Sequence, residues 1–180
     1  VVYNYNTAKY GGANHFDGAL TNANITGDYS NNKAQGRGGA NYFKGTLNNT
    51  SLNGNYANNA AEQWGGANVF ENTLNSVNII GNYTLNTAQN GGGGANYFNQ
   101  ALTNTNMSGN YANNTAKVSG GANYFQNTLT NVNIIGNYNN NTANGTNDNY
   151  DVYVYYCAGG GSNYFDSALI NVNITGDYAG

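Results

Sequence analysis

The sequence predicts an all-β parallel solenoid (a parallel β-helix) in a single domain, residues 1–180, with about six coils of ~27 residues and three faces per coil. Three observations predict it. The string GGAN recurs at Gly11–Asn14, Gly38–Asn41, Gly65–Asn68, Gly93–Asn96 and Gly120–Asn123, with GGSN at Gly160–Asn163, so the steps are 27, 27, 28, 27 and 40 residues. A fixed period of this length marks one supersecondary unit repeated along an axis. Inside each unit apolar and polar residues alternate with period two, the pattern of a half-buried strand. Proline is absent from all 180 residues, as expected where nearly every backbone N–H is needed for bonds between coils.

Each unit reads in the same order. The GG pair permits a corner with positive φ or a close backbone approach. The asparagine that follows, Asn14, Asn41, Asn68, Asn96, Asn123 or Asn163, can donate to and accept from its copy in the next coil, which predicts an amide ladder. Two residues later comes a phenylalanine column: Phe16, Phe43, Phe70, Phe98, Phe125 and Phe165. A leucine column follows at Leu20, Leu47, Leu74, Leu102, Leu129 and Leu169, then an apolar one at Ile25, Leu52, Ile79, Met107, Ile134 and Ile174. These three columns are the expected interior. In the fifth unit Val132 and Ile134 fall on one face and Asn131, Asn133 and Ile135 on the other. A tyrosine column closes the unit at Tyr29, Tyr56, Tyr83, Tyr111, Tyr138 and Tyr178, with Tyr3 in the same phase, and a small-residue column runs from Ala8 to Ala143. Extended chain rises about 3.3 Å per residue, so 27 residues trace a circuit of up to roughly 90 Å, room for three strands and three corners. No apolar stripe with helical spacing competes, and Asn, Gly, Thr and Tyr disfavour helix.

Composition removes several functions. Asparagine supplies 42 residues, glycine 26 and tyrosine 17, while only 13 are charged, for a net charge of −3. Five scattered cations make no basic stripe for nucleic acid. No run of ~20 apolar residues exists to insert into a membrane as a helix. A single cysteine, Cys157, excludes an internal disulfide framework, and no cofactor motif is present. The aromatic fraction of 13% argues against disorder.

The segment NNTAKVSGGANYFQNTLTNVNIIGNYNNNTA, residues 113–143, resembles the repeat of adhesin-like right-handed parallel β-helix surface proteins of methanogenic archaea, and more distantly the GGA repeats of chlamydial-type polymorphic outer-membrane proteins. The resemblance runs from about Tyr3 to Tyr178 and is specific for the scaffold rather than for a ligand. It implies a right-handed coil, an archaeal cell-surface or extracellular location, and an adhesive or structural role. Full-length members carry a signal peptide and an anchor. This sequence shows neither, so it reads as a mature form or as a segment of something longer.

Few residues suggest chemistry. Asp28 and Asp177 replace the asparagine of their column, and Asp17 and Asp166 share another column five coils apart. His15 stands where other units place Tyr or Val. A lone histidine without an acid partner is far more often structural than catalytic, so an enzyme ranks last. The insertion at 144–159 in the last coil contains an alternating stretch, Tyr150–Tyr156, expected as a strand. Asp148 and Asp151 there are read as a polar loop ahead of a weak calcium site, and Cys157 as a buried free thiol. Among nine N-x-[ST] sequons, Asn24, Asn82, Asn106 and Asn173 fall on outward positions and are the candidate glycosylation sites.

Solenoids need capped ends, because an open coil exposes unpaired backbone groups and a cut core. No polar cap is legible, and the tyrosine phase at Val1, Val2 and Tyr3 is met again at Tyr178, Ala179 and Gly180. The leading expectation is therefore a chain that stacks on itself, head to tail, into a filament or sheath. The alternative is a monomeric segment of an adhesin that binds cell-surface glycans through exposed Tyr and Asn rows. Ice binding ranks below both, because the outward column Thr26, Asn53, Ile80, Ser108, Ile135 and Thr175 is irregular.

Overall fold

A computed structural model describes residues 1–145 and 160–179. The stretch Tyr150–Tyr156, the residues Asp148, Asp151 and Cys157, and Gly180 lie outside the described residues. Every described strand pairs in parallel with its copy one repeat away, and no helix occurs among the described residues. The fold is a β-solenoid.

Each coil carries four strands where three were expected. The long strand has seven residues in most coils, as in Ser51–Ala57, Asn78–Thr84 and Asn106–Ala112. A two-residue strand at the alanine column follows, such as Ala60–Ala61. Next come a three-residue strand ending on the phenylalanine column, such as Asn68–Phe70, and a two-residue strand at the leucine column, such as Leu74–Asn75. Two-residue strands leave too little alternation to read from sequence, so the alanine and leucine segments look like corners until their ladders are seen. The alanine, phenylalanine and leucine sheets each hold six strands, so the coils are joined by five steps.

The corners are built from left-handed backbone. After the long strand, Tyr5, Asn31, Asn58, Leu85, Asn113 and Asn140 have φ of 52–57°. Before it, Asn22, Asn49, Ser76, Asn104, Asn131 and Asn171 have φ of 46–56°. Asparagine is several-fold enriched in this region because its short amide tolerates it, which explains much of the composition. Tyr5, Ser76 and Leu85 are the exceptions, and Leu85 invites a test, being 51% exposed at φ 57°. Leu85→Asn is expected to stabilise the chain by roughly 1 kcal/mol by relieving left-handed strain at little loss of burial; an unchanged urea midpoint would contradict this.

The interior is made of rows along the axis. Tyr3, Tyr29, Tyr56, Tyr83, Tyr111, Tyr138 and Tyr178 stack with ring centroids 4.7–4.9 Å apart and planes within 8° of parallel. The six phenylalanines stack likewise at 4.8–5.0 Å. With the leucine and isoleucine columns they form one continuous core. Burial pushes the Tyr29 hydroxyl up to about 12; Tyr3 beside it adds to the shift, and the amides of Asn14 and Asn41 offset part of it. The other central tyrosines, Tyr56, Tyr83, Tyr111 and Tyr138, are raised further by deeper burial.

Candidate assembly faces at the ends of the coil stack

The predicted asparagine column forms a ladder with a direction. Asn14 donates through Nδ2 to Oδ1 of Asn41 at 2.9 Å, Asn41 to Asn68, Asn68 to Asn96, Asn96 to Asn123, and Asn123 to Asn163, all at 2.9 Å. Every bond runs from one coil to the next coil along the chain. The row therefore begins on Asn14, which receives no amide from a preceding rung. It ends on Asn163, whose buried Nδ2 lies beside the Tyr138 and Tyr178 hydroxyls and makes no hydrogen bond among the described residues.

A second ladder escaped the sequence reading. Asn6, Asn32, Asn59, Asn86, Asn114 and Asn141 follow the left-handed corner, and Asn32, Asn59, Asn86 and Asn114 are fully buried. Each of these four donates to the next Oδ1 and also to a tyrosine carbonyl in the coil before, while its own backbone N–H reaches the same Oδ1. In four of the six units, at Asn32, Asn59, Asn114 and Asn141, the signal was present as an Asn that follows another Asn, but in a chain with 42 asparagines it did not stand out. This ladder runs in the same direction as the first.

The two end faces expose what the middle coils bury. Phe43, Phe70, Phe98 and Phe125 are closed off, whereas Phe16 and Phe165 are only partly buried. Leu20 and Ile25 are likewise partly open at one end. Leu169 is 44% exposed and Tyr178 52% exposed at the other. Val1 and Val2 are exposed, and among the described residues Val2–Asn4 pairs only on Asp28–Ser30 and Tyr178–Ala179 only on Tyr138–Asn139.

The remaining predicted positions are surface features. Asn24, Asn82, Asn106 and Asn173 are all exposed. Asn82, Asn106 and Asn173 donate their amides to Asn55, Asn78 and Asn133, while Asn24 donates no side-chain bond among the described residues. Asp17 is paired with Lys44 at 2.6 Å, which holds its carboxyl below the usual range. His15 faces Tyr10 and Tyr42 in an aromatic row on the outer side of the phenylalanine sheet. In that row Val69, Tyr97 and Tyr124 are buried, with Trp64 packed on Tyr97 at 4.8 Å. The Tyr97 hydroxyl donates to Gln126 and that of Tyr124 to Asp166, and Arg37 pairs with Glu71 beside them. The row is thus a second small packed cluster, where the sequence showed only a column of Tyr or Val with His15 in place of a ring. Among the described residues no group of three or more His, Cys, Asp or Glu side chains gathers to hold a metal.

Directional amide rows and parallel rungs define the chain as a β-solenoid repeat protein. No protein family, curated protein or solved structure matches it.

Proposed function

We propose that the chain is a non-enzymatic extracellular structural and adhesive protein that stacks head to tail on copies of itself into a filament or sheath. The observation that carries this reading is the direction of the inner asparagine ladder. Among the described residues it leaves a buried Nδ2 on Asn163 without an acceptor at one face, and at the other face Asn14, whose Oδ1 receives no amide of the row. A buried amide without a partner is costly, and Asn14 of a second copy would supply the missing acceptor. The same seating covers Phe165 with Phe16 and Leu169 with Leu20, continuing the core columns. Such a contact is heterologous and propagates rather than closing, and its backbone bonds are those of strand addition to an open sheet edge. Val2–Asn4 of one copy and Tyr178–Ala179 of the other carry the same columns of the long sheet, so one of the two gives way at the seam.

Electron microscopy of undenatured protein over a range of concentrations tests this. Continuous fibres with an axial repeat of about 29 Å, six coils at ~4.8 Å each, are expected. Discrete short rods at every concentration would overturn it.

A further inference from the structure

Four of the eight acids stand at or one rung from the two ends of shared columns, and the inference drawn from them rests on the head-to-tail reading above. Asp17 follows the first phenylalanine-sheet strand, Asn14–Phe16, and Asp166 follows the last, Asn163–Phe165. Asp28 lies in the first full strand of the long sheet, Asn24–Ser30, and Asp177 immediately precedes the last segment of that sheet, Tyr178–Ala179. Within one chain the members of each pair are five rungs apart. When Asn14–Phe16 of one copy seats on Asn163–Phe165 of another, Asp17 comes to lie one rung from Asp166. Asp28 likewise comes to lie one rung from Asp177 where Tyr178–Ala179 keeps its place. We infer that these like-charge pairs across the seam gate assembly: neutral pH at low salt holds the copies apart, and acid or added salt lets them join.

The groups around each acid set the strength of the gate. Asp17 faces Lys44 Nζ at 2.6 Å and His15 Nε2 at 3.9 Å in its own copy, so its charge is partly compensated. Asp166 is approached by the hydroxyls of Tyr124 at 3.4 Å and Tyr164 at 3.3 Å. Asp28 accepts from Asn55 Nδ2 at 2.7 Å. Asp177 stands over Asn137 in a row whose amides donate away from it, Asn137 to Asn110 and Asn110 to Asn82. Among the described residues no cation forms an ion pair with Asp28, Asp166 or Asp177. Elsewhere the long-sheet column is continued by neutral Asn55, Asn82, Asn110 and Asn137, whereas the other column carries Lys44 and Glu71 on its second and third rungs before the neutral Asn99 and Gln126. In the long-sheet column the acids thus stand at Asp28, one rung in from Val2, and at Asp177, and the two meet only if copies stack with Val2–Asn4 displaced.

Two carboxylates one rung apart in water weaken a contact roughly fourfold, so two pairs, one of them compensated by Lys44, raise the critical concentration about tenfold. The stacked state holds a shared proton more tightly than separate chains do, so assembly strengthens as pH falls toward the carboxylate range. Protonated His15 beside Asp166 of the neighbouring copy acts in the same direction, and salt screens the pairs.

The test is the critical concentration for sedimentable fibres of the intact chain and of an Asp166→Asn, Asp177→Asn double variant, measured at about pH 7 and about pH 4.5, at low and high salt. Asparagine keeps an acceptor for the Tyr124 and Tyr164 hydroxyls and leaves the Asp17–Lys44 pair untouched. Asp28→Asn, which matches the rest of its column, serves as a second variant should the first fail to fold. The parent chain is expected to need about tenfold more protein at neutral pH and low salt than in acid or high salt. The double variant should assemble at neutral pH and low salt as the parent does in acid. Equal critical concentrations for parent and variant at neutral pH and low salt would overturn the gate while leaving filament formation standing. Fibres in no condition for either chain would overturn the head-to-tail reading itself.

Discussion

Asn59→Ala is expected to destabilise the chain by about 4 kcal/mol, near the upper end for a single substitution. Asn59 is fully buried, and its amide is used on both sides. Nδ2 donates to the Tyr29 carbonyl at 2.9 Å and to Asn86 Oδ1 at 3.0 Å. Oδ1 accepts the Asn32 backbone N–H at 3.1 Å and its Nδ2 at 2.9 Å. Alanine leaves the buried Asn32 N–H without a partner, at a cost of about 1–3 kcal/mol, and takes from the Tyr29 carbonyl the second donor that it accepts beside the ladder. Asn59→Asp isolates the donor half of the same role. The carboxylate can still accept from Asn32 but cannot donate, and it faces Asn86 Oδ1. Its proton would be held more tightly in the folded than in the unfolded chain. Stability of this variant should therefore fall as pH rises through and above the ordinary carboxylate value of about 4. Urea unfolding of parent and both variants at two pH values is the measurement. A loss under about 1 kcal/mol for Asn59→Ala, or a pH-independent loss for Asn59→Asp, would refute the account.

Gly81→Ala should cost about 3 kcal/mol or more, at the severe end of overpacking. Gly27, Gly54, Gly81, Gly109, Gly136 and Gly176 form an inward column of the long sheet beside the tyrosine row. A Cβ on Gly81 would lie 2.2 Å from the Gly54 carbonyl oxygen of the coil before and 3.5 Å from the Tyr83 ring. That carbonyl belongs to a coil-to-coil rung and cannot retreat without breaking the parallel ladder. Gly18→Ala is the matched control, since a Cβ there meets nothing within 4 Å. The expected result is a large drop in urea midpoint for Gly81→Ala and almost none for Gly18→Ala. Equal effects would show that close backbone approach is not what fixes glycine in the column.

Period and alternation, read along the chain, specified the parallel stack and placed the phenylalanine, leucine, isoleucine and tyrosine columns. Both are properties of sequence order, because a residue whose copies recur every 27 positions must share its environment with them. The amide ladder through Asn14 and Asn163 was legible for the same reason. The order of residues could not show how far a strand runs. Ala60–Ala61 and Leu74–Asn75 are strands only because a neighbouring coil offers partners at that height, and so four sheets replace three. Nor could it separate the buried Asn59 from the exposed Asn58 beside it, since the left-handed φ of 55° at Asn58 is what turns the next amide inward. The outer row through Tyr97 and Tyr124 is closed by Trp64 from a corner loop, a contact between columns rather than along one. Sequence by itself determined that this chain is a stack of like coils with an aromatic and aliphatic centre. Tertiary structure alone decided the direction of its hydrogen-bonded rows, because a donor and an acceptor on the same amide become head and tail only when the coils are set one upon another.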